Sequence, residues 1–224
     1  MPFVFDSRPS DSPYVETIWH TQSDSAGGSF ISIAATQWEL VVTRQRGQVT
    51  MGVRGPETRA SVASIPEDAE FLGILFKLGS FLPALPSPEL VDGGLILPQA
   101  SDHTFWLHGS AWQFPDFENT DTFVDRLVRQ GLLAHETVVT NAVQGQIPDR
   151  SLRSVQRRFL RATGMTHGTI SQIHRARHAM TLLQQGVSIV DTVDQAGYAD
   201  QPHLTRSLKR FIGQTPAQLL AASR

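Results

Sequence analysis

The sequence predicts an α+β protein in which a β-rich amino-terminal domain precedes an all-α domain. Short β-prone runs and turn residues fill the first half of the chain. Near Asn119 the spacing of apolar residues changes to a helical one, and from there glycines separate short amphipathic stretches. We therefore expect a β-rich domain over residues 1–118 and a helical domain over residues 119–224.

The composition is that of a globular chain. Its 224 residues are 40% hydrophobic and 18% charged, which is enough apolar material for a core. No apolar run reaches about 18 residues, so no membrane-spanning helix is expected. The first residues do not have the pattern of a secretory signal, and we expect a cytoplasmic protein. The sequence has no cysteine, which excludes disulfides, cysteine metal sites and thiol nucleophiles.

The net charge of −2 conceals a strong asymmetry between the two halves. Residues 150–224 contain eleven basic and three acidic residues, a balance of +8. Residues 1–149 contain eight basic and eighteen acidic residues, a balance of −10. This separation indicates that the carboxyl-terminal part meets a polyanion and the amino-terminal part does not, although a solvated basic helix bundle would have the same balance.

The β-rich half is predicted from five short runs of residues. We expect strands at 30–34, 38–44, 48–53 and 95–97, with Gly47 in the turn between the second and third. Leu72, Ile74, Phe76 and Leu78 alternate with other residues, which predicts a strand with one apolar face.

The helical half begins with two shorter amphipathic stretches. Phe123, Leu127 and Val128 recur at helical spacing up to Gly131, and we expect the chain to stay helical from there. A second stretch over 138–143 stops at Gly145, and Pro148 breaks the chain.

The clearer of two helix-turn-helix candidates lies near the carboxyl end. Ser188 and Asp191 resemble a capping box, Gly197 suits a helix end, and Asp200 caps a second helix with Pro202 in its first turn. Leu204, Leu208 and Phe211 predict the buried stripe of that second helix. Away from the stripe or beside it lie Gln201, His203, Thr205, Arg206, Lys209 and Arg210. Such a basic, amide-rich face suits a reader of the DNA major groove.

The first candidate follows the same logic. Ser151 caps a helix that ends at Gly164, with an inner stripe of Leu152, Val155, Phe159 and Ala162. Its outer face carries Arg153, Gln156, Arg157 and Arg161, whose arginines repel one another unless a polyanion is present. A long helix from about Gly168 to Gln185, capped by Thr166, joins the two units. Thr215 and Pro216 open a last helix to Ala222.

The basic part resembles the AraC/XylS family of transcription regulators over about 75 residues. The positions that carry the resemblance are Ser151, Arg153, Val155, Gln156, Arg157, Phe159, Gly164, Ala179, Leu182, Leu183, Ser188, Ile189, Gly197, Tyr198, His203, Leu204, Arg206, Lys209, Arg210, Phe211, Gly213, Thr215 and Pro216. In that family two helix-turn-helix units joined by a long helix enter adjacent major grooves. The resemblance implies DNA contacts at Arg153, Gln156, Arg157, Gln201, Thr205 and Arg206. The segment 145–150, with Pro148, is longer than the short turn of the family pattern.

The resemblance also implies a β-rich sensing or dimerising domain, in some members cupin-like. His103 and His108 lack a suitable nearby Glu and His20 stands alone, so we expect no metal site and no cofactor. Trp19, Trp38, Phe76, Trp106 and Trp112 are candidates for an aromatic effector pocket or for ordinary core, and the latter is favoured. No effector residue is assigned. The absence of cysteine excludes the alkyl-accepting DNA-repair variant of the family.

These observations predict a sequence-specific, DNA-binding transcription regulator rather than an enzyme. Its expected partners are double-stranded DNA, a small-molecule effector, a second copy of the chain and RNA polymerase. We do not expect it to bind a membrane. The alternative is a small-molecule-binding or enzymatic β domain, for which His103 and His108 are the residues to test, with an appended helical module. A module that only binds proteins is a third possibility.

Overall fold

A computed structural model describes residues 5–143, 145–146 and 151–222, with the side chain of Leu152 excepted. The predicted Pro148 break and Arg150 lie outside the described residues. A β-rich region comes first and a helical region follows, as the sequence predicts. The strands are β1 (Asp6–Arg8), β2 (Val15–Gln22), β3 (Gly28–Ser32), β4 (Glu39–Gln45), β5 (Gln48–Arg54), β6 (Ser61–Ile65), β7 (Ala69–Phe76), β8 (Ser80–Phe81), β9 (Gly94–Leu97), β10 (Gln99–Ser101), β11 (Thr104–Leu107), β12 (Ser110–Gln113) and β13 (Ala134–His135). The helices are α1 (Ser87–Leu90), α2 (Thr120–Arg129), α3 (Thr137–Val143), α4 (Leu152–Thr163), α5 (His167–Gln184), α6 (Ile189–Gln195), α7 (Gln201–Phe211) and α8 (Pro216–Ala222).

The centre of the β-rich region is a six-stranded antiparallel sheet in the order β1-β2-β7-β4-β5-β9. Alternation along the strands gives this sheet two different faces. Leu40 and Ile74 belong to the main hydrophobic core, which also contains residues of the β10-β11-β12 sheet and of α2. Val41 and Phe71 form a smaller cluster with Trp19 on the opposite face. The predicted apolar face of β7 is correct up to Phe76, whereas Leu78 lies beyond the strand and packs against the helical core.

Helix α2 packs in the core of the β-rich region. Phe123, Val124 and Leu127 are buried there together with Leu132 and Leu133 of the following turn. The sequence-based boundary at residue 119 assigns α2 to the helical domain because its period is helical. Periodicity, however, does not reveal which core a helix joins.

The expectation that the chain stays helical after residue 119 is wrong at one point. Ala134 and His135 form the short strand β13, which pairs with β8. This pairing attaches the start of α3 to the β-rich region. Two residues are too few to give a period in the sequence, so the strand escapes prediction.

The helical region forms a second hydrophobic core around α5. This helix has 18 residues and is about 27 Å long at ~1.5 Å per residue. Ile170, Ile173, Ala176 and Leu183 give it a buried side. Helices α6, α7 and α8 contact α5, and α4 contributes side chains to the same core.

Candidate nucleic-acid interface

The second helix-turn-helix unit has the local chemistry that the sequence predicts. Ser188 Oγ accepts a hydrogen bond from Asp191 N (3.1 Å) at the start of α6, and Gly197 has a φ of 67° after its end. Asp200 Oδ1 accepts from His203 N (2.6 Å) and so caps α7, which has Pro202 in its first turn. The capping box is incomplete. In a full capping box the carboxylate accepts a hydrogen bond from the backbone N–H of the capping residue, whereas Asp191 Oδ2 accepts one from the Ser188 hydroxyl.

Helix α7 separates a buried stripe from an exposed polar face. Leu204, Leu208 and Phe211 are buried as predicted. The exposed residues on its other side are Gln201, Arg206, Lys209 and Arg210. This face leaves amide and guanidinium groups available to a ligand in solution.

Two of the predicted contact residues on α7 are only half exposed. The ring of His203 makes an edge-to-face contact with Tyr198, with ring centroids 5.1 Å apart, and Thr205 is also partly buried. The Tyr198 hydroxyl is 2.8 Å from Ser207 Oγ, and the Arg175 guanidinium lies 4.8 Å from the tyrosine ring centre. Tyr198 and Arg175 therefore join the turn of this unit to both α7 and α5. Sequence reasoning missed Arg175, because it lies on another helix and only the fold brings it to the turn.

The first unit presents its predicted residues on α4. Ser151 Oγ accepts from Ser154 N at the helix start, and Gly164 has a φ of 72° at its end. Phe159 and Ala162 are buried and Val155 is half-buried, whereas the predicted contribution of Leu152 lies outside the described side chains. The exposed face carries Arg153, Gln156, Arg157 and Arg161.

Helix α3 precedes α4 and packs on it. Val139 is buried in the helical core, and the Glu136 carboxylate before α3 accepts a hydrogen bond from Arg158 Nε at 2.8 Å. Arg158 is thereby occupied within the protein, on the flank of α4 rather than on its outer face. Most of the longer segment 145–150 noted in the sequence, namely residues 147–150, lies outside the described residues.

The exposed arginines of α4 and α7 differ in their internal contacts. Arg161 lies 5.8 Å from the centre of the Phe81 ring, a contact with the β-rich region. Within the described part of the chain, Arg153, Arg157 and Arg206 have no hydrogen bond, ion pair or ring contact through their side chains. Burying or pairing a guanidinium satisfies it internally, so these three are the exposed arginines of α4 and α7 that are most available to an external anion.

The β-rich region touches the carboxyl ends of both outward-facing helices. Ala34 N donates to Phe211 O (2.7 Å) and Ala60 N donates to Arg210 O (2.8 Å) in the last turn of α7. Ser87 Oγ donates to Ala162 O (3.3 Å) near the end of α4. These bonds satisfy carbonyls that a helix leaves without internal partners. They do not cover the exposed faces of either helix.

A side-chain pair adds to this contact between the regions. Thr36 Oγ1 lies 3.2 Å from His174 Nε2 on α5, and Arg177 Nη1 donates to Ala34 O at 3.3 Å. Partial burial, together with the positive charge of Arg177, lowers the pKa of His174. A neutral imidazole at this position can share a hydrogen bond with the Thr36 hydroxyl without a desolvated charge.

The five aromatic residues considered as an effector pocket do not form one. Trp38 and Phe76 are stacked in the main core with ring centroids 4.0 Å apart, and Trp112 is buried there too. Trp106 is exposed. Trp19 alone of the five lines a large cleft on the other face of the sheet.

The histidines considered as metal ligands are also apart. His103 and His108 are exposed in the turns of the β10-β11-β12 sheet, and His20 Nε2 lies 2.9 Å from Glu70 Oε1. The described residues contain no group of three or more His, Asp or Glu side chains placed to hold a metal ion. None of the described helices combines the length and apolar character needed to cross a membrane.

Comparison with known proteins identifies the helical region. Residues 149–222 match a family model described as a helix-turn-helix domain, of the AraC type. This match covers α4 to α8 and therefore both exposed helix faces. Searches of curated proteins and of solved structures returned no match. Residues 149–222 thus form a DNA-binding helix-turn-helix domain of the AraC type.

Proposed function

We propose that the protein regulates transcription by placing α4 and α7 in adjacent major grooves of promoter DNA. The observation that supports this most directly is the pair of capped helices whose outward residues Arg153, Arg157 and Arg206 have no side-chain partner among the described residues. A phosphate backbone or a guanine edge supplies the acceptors that these guanidinium groups lack.

Each exposed residue has a chemistry suited to one part of the duplex. Arginines 153, 157 and 206 are suited to bidentate bonds with guanine, and Gln156 and Gln201 to bonds with adenine. Lys209 and Thr205 are suited to phosphate contacts, which fix the position of the helix without reading sequence. Arg161, Arg210 and His203 complete the proposed contact set at the flanks.

The separation of the two helices supports adjacent-groove binding. Helix α5 is about 27 Å long at ~1.5 Å per residue. Major grooves on one face of DNA are about 34 Å apart. Helix α4 precedes α5 in the chain and α7 comes after it, beyond α6. The width of α4 and α7 adds to the distance between the residues that they present.

The β-rich region is proposed to sense an effector or to mediate association with a second copy or with RNA polymerase. Its surplus of acidic residues repels the phosphate backbone, which favours approach of the helical region to DNA. Because α2 packs with the sheet and the matched domain starts at residue 149, we propose that the division between the two functions lies after β13.

Selection of bound fragments from random duplex DNA by the full chain tests this function, followed by footprinting of one fragment. We expect an enriched motif with two protected segments about one helical turn apart for each bound copy. The matched control is a chain with Arg157→Ala and Arg206→Ala together, which should enrich no motif. Equal enrichment by the control, or no motif from the parent, contradicts the proposal.

A further inference from the structure

A cleft of about 520 Å³ lies on the face of the six-stranded sheet that points away from the main core. Its floor includes Trp19, Val41 and Phe71, and the two-stranded ribbon of β3 and β6 forms one wall. Trp19 lies across Gly73 of the neighbouring strand, where a Cβ atom would come within 1.9 Å of the indole. Glycine at position 73 therefore allows the indole to lie flat and form the floor.

The chemistry of the cleft selects a class of ligand. Ligand pockets commonly have volumes of about 300–1,000 Å³, with mainly apolar walls and a few polar groups. Here the polar groups include the carboxylates of Glu57 and Asp92 and the guanidinium of Arg54, which lies 4.0 Å from the Glu39 carboxylate. Because the carboxylates outnumber the guanidinium, the cleft disfavours anions. Glu57 already accepts a hydrogen bond from Ser32 and Asp92 accepts two from Thr58, so the carboxylates are occupied and the mainly apolar walls suit an uncharged small molecule.

The ribbon has one face toward the cleft and the other toward the DNA-binding domain. Phe30, Ala63 and Ile65 line the cleft. Ile31 alternates with Phe30 and therefore points to the opposite side. There it lies close to Gly213, two residues after the end of α7, since a Cβ added to Gly213 would lie 2.8 Å from Ile31 Cγ2.

The ends of the ribbon strands continue directly into the contacts with α7. Ala34 follows β3 by two residues and Ala60 precedes β6 by one, and their amides cap the carbonyls of Phe211 and Arg210 at 2.7 and 2.8 Å. Ala34 is completely buried within the helical core. A displacement of the ribbon therefore changes the support of the recognition helix α7.

We propose that the cleft binds an uncharged, mainly apolar small molecule and that the β3-β6 ribbon transmits this binding to α7. This inference rests on the proposed function and specifies the effector site, its ligand class and its route to the DNA. Ligand in the cleft and DNA on α7 then change each other's affinity by the same factor. Coupled sites of this kind typically change affinity about 5- to 150-fold.

Binding to the cleft is tested with two dyes that share one aromatic skeleton. N-phenylnaphthylamine is uncharged, and anilinonaphthalene sulfonate is an anion of nearly the same shape. We expect the full chain to enhance the fluorescence of the uncharged dye saturably and to bind the sulfonate more weakly. Equal or stronger binding of the sulfonate, or no saturable binding of the uncharged dye, overturns the assignment.

Variants that fill the cleft localise the dye. Gly52 lies in the cleft, and a Cβ there would meet only Ile96 Cδ1 at 3.5 Å and Val41 O at 3.6 Å. Gly52→Leu should therefore fold, with its side chain occupying the ligand space. Ala63→Leu should fill the same space from the ribbon side. We expect each folded variant to weaken dye binding at least about fivefold. Unchanged dye affinity in folded protein overturns the location.

The route to α7 is tested by comparing variants of the ribbon. Ile31→Ser removes the side chain next to Gly213, and Val62→Ser is its matched control. Val62 is the cross-strand neighbour of Ile31 on the same ribbon face, and it is 77% exposed. Ala60→Pro is a stronger variant, because it removes the amide that caps Arg210 O.

Affinity for the selected DNA is measured with and without saturating uncharged dye. We expect an effect of about fivefold or more in the parent and in Val62→Ser. Ile31→Ser and Ala60→Pro should still bind the dye, with that effect reduced or lost. No effect in the parent, or an equal effect in all variants, overturns the route. If the parent does not bind DNA in the absence of dye, the proposed function is contradicted, whereas the dye titrations still test the cleft separately.

Discussion

At the scale of single residues, the exposed guanidinium groups of α4 and α7 are distinguished by what surrounds them. Arg158 on α4 is paired with Glu136, and Arg175 on α5 lies against Tyr198, so both act inside the protein. Arg157 and Arg206 are exposed without such contacts among the described residues. The sequence predicts the outward position of Arg157 and Arg206 correctly, because the helical period separates the outer face from the buried stripe.

Arg206→Ala tests the role of the central residue on α7. We expect the affinity for the selected site to fall by about 1–3 kcal/mol and base preference to relax at one position, because a bidentate base contact is lost. Arg129→Ala on α2 is the matched control, with the same change of charge at an exposed residue of the β-rich region. Titration of labelled duplexes measures both. An equal loss for the two variants would mean that net charge alone decides the affinity.

Glu39 gives a prediction about stability and pH. Burial raises the pKa of this carboxyl, while Arg54 and the hydrogen bond from Trp19 Nε1 (3.2 Å) oppose the shift. The folded state therefore holds the proton more tightly than the unfolded state. Stability is highest below the unfolded pKa, about 4.5, and falls as pH rises through the raised folded value. Glu39→Gln should remove this fall and stabilise the protein at neutral pH.

Chemical unfolding of the parent and Glu39→Gln across pH 4 to 8 measures this effect, roughly the window in which a raised carboxyl titrates. The amide keeps an oxygen that can accept the Trp19 hydrogen bond, so the variant changes mainly the charge. Parallel stability curves for the two proteins would show that Glu39 titrates alike in the folded and unfolded states.

At the scale of elements, local chemistry sets the ends of the helices in the DNA-binding domain. Helices α4, α5 and α7 begin directly after Ser151, Thr166 and Asp200, and each of these side chains caps its helix as predicted. Strands β3, β4, β5, β7 and β9 were predicted to within a few residues, whereas β2 and β6 were not predicted, and neither was the order of the strands in the sheet. Pairing such as that of β2 with β7 joins segments far apart in the chain, and no local signal specifies it.

Asp200→Ala tests the cap of the recognition helix. Loss of the bond to His203 N should destabilise the helical region by about 1 kcal/mol. Thermal unfolding followed by circular dichroism measures the change, expected as a drop of about 2–4 °C. Asp200→Asn keeps a good capping side chain and should restore most of the stability. Asp194→Ala, an exposed acid of α6, controls for the change of charge, and an equal drop there would contradict the capping role.

At the scale of the whole molecule, the separation of charge predicts strongly salt-dependent DNA binding. The logarithm of the binding constant should fall linearly with the logarithm of salt concentration, with a slope of about −0.9 for each phosphate neutralised. Lys209→Ala should make the slope shallower by about 1, because this residue is proposed to contact a phosphate, whereas Arg129→Ala should leave it unchanged. Fluorescence anisotropy over a salt series measures both, and a flat response of the parent would exclude an electrostatic interface.

The sequence by itself determined the DNA-binding domain, because caps, glycine turns and apolar stripes act over a few residues and leave a readable pattern. Only the tertiary structure decided that α2 joins the β core and that the β3-β6 ribbon separates a cleft from α7. The bonds from Ala34 and Ala60 to α7 use backbone amides, which nearly every residue has. Their position therefore depends on long-range packing, for which the side chains of two alanines give no signal.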